Sequence, residues 1–417
     1  MIFLALFALA VAFGFSLLFV RRARGHARRY DDSKVQRFHK GDIPRIGGIA
    51  ILLGLLAGWG MAALSAAYGD EVNTAIDLRL AANWMLVLLP AALAGAWEDL
   101  TQDVSVHLRF GMTALSAALG CWLLDLQVLR LGLPYVDGWL AAWPVVGVLL
   151  AFIAMCGMPH AFNLIDGYNG LAGTVALLIC MALVHVALAN GDRQLAGLVI
   201  CMAGATGGFL IWNYPRGSIF AGDGGAYLWG VVIGVASIAL VQRHPLVSPW
   251  FPLLLLIYPV CETLFSIYRK LARGSSPGMA DALHFHQLIY RRIVRNVFDD
   301  DEARRILSRN NRTSPYLWGF AVLTIVPALL FWSNTPALML FCGVSALAYV
   351  TAYLMVIRFK LPPWLQRGAR RARRHGRVRV HEPVYPLRPP SVGAEPGARA
   401  SAPAPRGEVL PAENEQP

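Results

Sequence analysis

Apolar residues run in blocks along this chain, and short polar stretches punctuate them. Eleven tracts of about 20 residues each are long enough to cross a hydrocarbon core of about 30 Å as helices. They cover 1–20, 46–68, 81–97, 108–126, 143–162, 171–189, 194–213, 226–242, 249–267, 314–332 and 335–357. The tract 81–97 is short and contains Pro90, a residue that membrane helices tolerate better than soluble ones. The pattern predicts an all-α fold, a polytopic integral membrane helical bundle with about 11 transmembrane helices.

Composition agrees. Of 417 residues, 56% are hydrophobic and 15% charged, against about 25% charged in an ordinary soluble domain. The basic residues then orient the bundle. With the N-terminus outside and the C-terminus cytoplasmic, 33 of the 37 Lys and Arg fall on the inside, nine of them in 21–45 alone. That is the charge asymmetry expected of cytoplasmic loops. The first tract lacks a basic leader and its cluster RRARGHARR follows it, so it reads as a span rather than a cleaved signal peptide. The net charge of +12 belongs beside an anionic bilayer, and nucleic acid is not an expected partner. The six cysteines all lie within spans without a CxxC pair, which points to packing rather than disulfides or zinc. Two regions follow: a membrane-embedded domain, 1–357, and a cytoplasmic tail, 358–417. The tail is basic at RRARRHGRVRV (370–380) and then rich in Pro and Ala, a composition that predicts disorder.

On this topology five polar motifs share the inside face: HKGDIPRIGG (39–48), WEDLTQD (97–103), NLIDGYNGL (163–171), FAGDGGAYLWG (220–230) and ALHFHQLIYRR (282–292). Acids at a membrane boundary are costly unless paired or metal-bound, so a functional site is the default reading. Asn163, Asp166 and Asn169 are three apart and would share one face of a helical extension of 143–162. Carboxylate and amide oxygens suit Mg²⁺ or Mn²⁺. The glycines of GDGGAY would let backbone N–H groups approach a phosphate at a helix start. His284, His286, Arg291 and Arg292 offer donors to phosphate oxygens. Lys40 and Arg45 precede the second tract, where topology explains them equally well.

The order of these motifs resembles the polyprenyl-phosphate N-acetylhexosamine-1-phosphate transferases (glycosyltransferase family 4), the group of MraY-like and WecA-like enzymes. The resemblance rests on NLIDGYNGLAG, FAGDGGAYLWG and the HFH of the long inside loop, and covers roughly 35–300. It implies transfer of a sugar 1-phosphate from a UDP-sugar to undecaprenyl or another polyprenyl phosphate. UMP is released, with Mg²⁺ or Mn²⁺, at the cytoplasmic face of a bacterial inner membrane. It places the acidic pair of the family on Glu98 and Asp99, with Asp99 favoured for direct chemistry. The metal falls to Asp223 with Asp166, and substrate contacts fall to Lys40, Asn163, Asn169, Gly222, His284, His286, Arg291 and Arg292. Many relatives carry Asp where this chain has Glu98 and Asn169; Asn169 still offers an oxygen, and Asn169→Asp is expected to be tolerated. A homodimer is a family-level implication, and the sequence itself leaves oligomeric state open. The rival from another class is a membrane transporter with acidic ion-binding residues. Against it, the acids gather at the inside surface rather than at the midplane. A CDP-alcohol phosphotransferase would need an Ala-Arg pair soon after DG, which DGYNGLAG lacks.

Overall fold

The structure is a computed structural model that describes residues 1–23, 43–67, 76–274, 283–294 and 302–358. Contacts divide the chain into Met1–Ala369 and Arg370–Pro417, and every described residue lies in the first unit. Lys40 and most of the tail lie outside the described residues.

The described residues form fourteen helices and no strand. They are α1 (Ile2–Arg22), α2 (Gly47–Ala67), α3 (Leu78–Thr101), α4 (Val106–Leu123), α5 (Pro134–Ala142), α6 (Pro144–Ile165) and α7 (Leu171–Ala189). After these come α8 (Arg193–Asn213), α9 (Gly222–Arg243), α10 (Trp250–Leu255), α11 (Ile257–Leu271), α12 (Phe285–Arg292), α13 (Glu302–Leu330) and α14 (Thr335–Ile357). Local chemistry sets many of the ends. Asp77, Ser105, Asp192 and Asn334 accept hydrogen bonds from the first-turn N–H groups of α3, α4, α8 and α14, which would otherwise be orphaned. Prolines begin α5 and α6, where a missing N–H costs nothing.

Nine of the described helices are long and apolar enough to cross a membrane, and the chain is a polytopic membrane bundle. The two other expected spans are α4 and the pair α10–α11. α4 carries His107, Arg109, Thr113 and Ser116. The tract 249–267 breaks at Leu256, between Pro252 and Pro259. α8 and α9 form the centre and bury residues on every side. α1 lies against α8 and α2, so close that a Cβ on Gly204 would come within 2.1 Å of the Ala5 carbonyl oxygen.

Three boundaries differ from the hydropathy reading in ways that matter. α3 continues through Glu98 and Asp99, α9 begins at Gly222 before Asp223, and α13 begins at Glu302, well ahead of its apolar part. The polar motifs thus sit on helix ends rather than in loops. They gather at one end of the bundle. At the other end, Arg130 donates to the carbonyls of Val241, His244 and Val247, tying the segment before α5 to the end of α9.

Candidate active site

Asp99 and the start of α9 form the framework. Asp99 is 4% exposed, and its two oxygens accept from the N–H groups of Asp223 and Gly224, each at 2.8 Å. One helix thereby caps another, and a negative carboxylate meets the positive end of the α9 dipole. Such closeness needs bare backbone. Gly222 has φ +69°, and a Cβ there would lie 2.2 Å from Asp99 Oδ1 and 2.3 Å from the Arg45 carbonyl oxygen. A Cβ on Gly95 would lie 2.5 Å from Gly224 Cα. Residues 44–48 join the same junction: Phe220 N donates to Pro44 O, and the Gly47 and Gly48 N–H groups donate to Phe220 O and Ala221 O. Asp99 thus caps the α9 N-terminus with one N–H on each oxygen, and Gly222 is what lets the two helices come this close.

Asp223, on the first turn of α9, points its Oδ2 to Arg109 Nη1 at 2.6 Å and to the Tyr227 hydroxyl at 3.4 Å. Its Oδ1 has no hydrogen-bond partner among the described residues. Arg109 Nη1 is also 3.7 Å from Glu98 Oε1, while Glu98 Oε2 accepts from Val104 N at 2.9 Å. Arg109 therefore stands between two acids from two other helices. In the sequence Arg109 is one of the basic residues of the inside face. The available signal was a single arginine in the first turn of an apolar tract. His160 is a second unforeseen neighbour. Its Nε2 is 2.9 Å from Thr113 Oγ1, and its ring lies between Phe110 and Tyr227.

The central motif is not a helical extension. α6 stops at Ile165, and Asp166 is its C-cap, its N–H bonded to Phe162 O and Asn163 O. The turn separates the three polar residues, correcting the shared face. Asn163 stays one turn back on α6, partly buried. Asp166 is partly exposed, and its carboxylate accepts no hydrogen bond from the described residues. Burial foremost pushes its pKa up to about 7; Arg45 opposes that shift and Asp223 adds to it. Asn169 goes the other way, to α13. Its N–H donates to Asn310 Oδ1 and its Nδ2 to Asn311 Oδ1, while its carbonyl accepts from Ser314 Oγ. With 1% exposure, Asn169 fastens the central motif to α13, while its Oδ1 meets no hydrogen-bond donor among the described residues.

The histidine motif completes this end. His284 precedes α12 in extended backbone, so the two imidazoles can share a side, and they stack at 5.5 Å and 12°. His286 packs on the central motif: a Cβ on Gly167 would be 2.7 Å from its Nε2, and Tyr168 meets it edge-on. Burial chiefly, with His284 adding to it and Glu262 opposing, lowers the His286 pKa to about 3, so this ring is neutral. Arg291 is exposed. Arg292 donates through Nη1 to the carbonyls of Val356 at 2.6 Å and of Ile357, which turns it to the end of α14.

No group of three or more His, Cys, Asp or Glu side chains set for a metal occurs among the described residues. Among the described residues, the Asp166 carboxylate and Asp223 Oδ1 are carboxylate oxygens at this end that accept no hydrogen bond. That set fits Mg²⁺, which takes one or two carboxylates and completes its shell with water and phosphate.

Residues 81–241 match the family described as Glycosyl transferase family 4. That stretch includes Glu98, Asp99, Arg109, Asp166 and Asp223, and α12 lies beyond it. The chain is similar to a probable undecaprenyl-phosphate N-acetylglucosaminyl 1-phosphate transferase of Bacillus subtilis, 26% identical over 61% of this chain and 68% of the relative. The undecaprenyl-phosphate alpha-N-acetylglucosaminyl 1-phosphate transferase of Escherichia coli K12 is 29% identical, over 67% and 74%. A protein so named in Thermotoga maritima is 26% identical, over 62% and 72%.

Proposed function

We propose that this chain, an enzyme of glycosyl transferase family 4, transfers an N-acetylhexosamine 1-phosphate from a UDP-sugar to undecaprenyl phosphate. One observation carries the reading. At a single end of a membrane bundle, the Asp166 carboxylate, which accepts no hydrogen bond among the described residues, feels the charges of Arg45 and Asp223, and Asp223 Oδ2 is ion-paired with Arg109. Two acids and an arginine at a bilayer boundary suit a reaction in which one phosphate is lipid-linked and the other dissolved.

An oxygen of the lipid phosphate attacks the β-phosphorus of the UDP-sugar. The new P–O bond forms as the bond from that phosphorus to the bridging oxygen breaks, and UMP leaves with the electron pair. The product is a polyprenyl diphosphate sugar. Asp166 and Asp223 would hold Mg²⁺ or Mn²⁺, which when bound neutralises diphosphate charge. Arg109 donates to a phosphate oxygen beside Asp223, and the neutral ring of His286 donates one N–H to the donor nucleotide. Glu98 keeps Arg109 aimed, and Asp99 keeps the first turn of α9 in place. Phosphoryl transfer asks mainly for positioning and charge neutralisation. The attacking phosphate has a second pKa of about 6, so no strong protein base is required. The basic residues, concentrated on the same side, support a cytoplasmic site in the inner membrane.

The test is UMP release by the purified protein with Mg²⁺, undecaprenyl phosphate and a panel of UDP-sugars headed by UDP-N-acetylglucosamine, the sugar in the relatives' names. Release with one donor, dependent on both lipid and cation, is expected. Release that ignores the lipid, or silence across the panel beside an active control enzyme, would overturn the reading.

A further inference from the structure

Glu262 lies within α11 with no exposed surface, and no step above uses it. Its Oε1 accepts from Phe285 N at 3.0 Å and lies 3.2 Å from His284 Nδ1. Its Oε2 accepts from the Tyr349 hydroxyl at 2.8 Å. A buried carboxylate is costly unless donors meet its lone pairs, and here three converge from α14 and from the residues that open α12. A plain clamp between α11 and α14 would need only Tyr349. The other two bonds fall on the two residues immediately before His286.

What they hold is a chain of contacts. The carboxylate at Nδ1 fixes the His284 ring, a standard way to orient an imidazole. The ring of His286 stacks on it. His286 in turn rests on Gly167 and against Tyr168, next to Asp166. The stack is buried, so it has few other ways to sit.

We propose that Glu262 is a positioning residue for the donor half of the site: through His284 it sets the ring of His286 over Gly167, beside Asp166. The proposal rests on the transferase reading for the identity of the donor, and on geometry alone for the hold.

Two arms test it with Glu262→Gln, which keeps the shape and removes the charge. In the kinetic arm, the KM for the UDP-sugar should rise about tenfold while the KM for undecaprenyl phosphate stays within twofold. In the second arm, amide hydrogen exchange over 283–292 should quicken, with α8 and α9 unchanged. An equal rise in both KM values, or no rise, overturns positioning in favour of a structural role. Unchanged exchange over 283–292 overturns the hold by itself. A wild-type protein without turnover would sink the transferase reading, and the exchange arm would still decide the hold. If Glu262→Gln does not fold, Tyr349→Phe removes the hydroxyl that holds Oε2 and so loosens the carboxylate that holds His284. The same donor-specific rise, about threefold, is then expected, and its absence overturns the proposal.

Discussion

Arg109 joins Asp223 and Glu98, and a diphosphate would bring further negative charge to the same place. Two roles follow from one position: it steadies Asp223, and it offers N–H groups to a phosphate. Arg109→Ala should lower kcat/KM by about two orders of magnitude, a scale of loss typical when a preorganised donor is removed. Arg109→Lys should recover part of it, because charge returns without the forked geometry. Steady-state kinetics on folded variants checks both, and a near-normal Ala variant would remove Arg109 from the chemistry. Asp166 gives a pH signature. Burial pushes its pKa up to about 7, and proton and cation compete for the same oxygen. The Mg²⁺ concentration for half-activation should therefore climb about tenfold per pH unit below 7 and level off above it. Asp166→Asn should abolish that slope, which Mg²⁺ titrations between pH 5.5 and 8.5 would show. Asn169→Asp no longer looks harmless. Its Nδ2 donates to Asn311 Oδ1, and Asn311 Nδ2 donates to Pro215 O. A carboxylate would set oxygen against oxygen, and turning the Asn311 amide would strip Pro215 of its donor. A loss of about 1–3 kcal/mol in stability is expected from the unmet group, visible as a lowered Tm without tighter Mg²⁺ binding.

At the scale of elements, the junction of α3 with α9 governs the site. Hydropathy ended the third span at residue 97 and began the eighth at 226, because charged residues lower any windowed average. Helices are not bound by that average when their polar groups find partners. Asp99 meets two N–H groups and Glu98 meets Val104, so both helices run on into the polar zone. The motifs were legible as a cluster at one end. Their division of labour was not, since it depends on pairs far apart in sequence: Asp99 with Gly224, Arg109 with Asp223, Asn169 with Asn311, Glu262 with His284. The periodicity of NLIDGYNGL was misread for a local reason. Three-residue spacing suggests a helix, whereas Asp166 and Gly167 end one. Gly95→Ala should test the junction. A methyl group 2.5 Å from Gly224 Cα must push α3 from α9, which costs about 1–3 kcal/mol by overpacking. The same shift would draw Asp99 off the α9 N-terminus. Activity should therefore fall further than the drop in Tm accounts for. Equal activity at a reduced Tm would show that the junction carries stability alone.

For the whole molecule, the sequence was most informative about class. Blocks of apolar residues can hardly be anything but spans, and nine of the described helices meet that description. Orientation rests on a different physical quantity, the sidedness of charge. It matters for mechanism because a nucleotide sugar is supplied on the cytoplasmic side alone. On the proposed function the active end faces inward, and the opposite end outward. Two single cysteines on a background free of the native six would settle this. Tyr135, 96% exposed on α5 at the far end, becomes Tyr135→Cys. Ala272, exposed just after α11 on the side of the active end, becomes Ala272→Cys. A membrane-impermeant maleimide applied to intact cells should label the first and spare the second until the membrane is opened. The reverse pattern would place Asp166 and Asp223 away from any pool of UDP-sugar. Such a result would sink the transferase reading even with every contact of the site intact, because a site is only as useful as the compartment it faces.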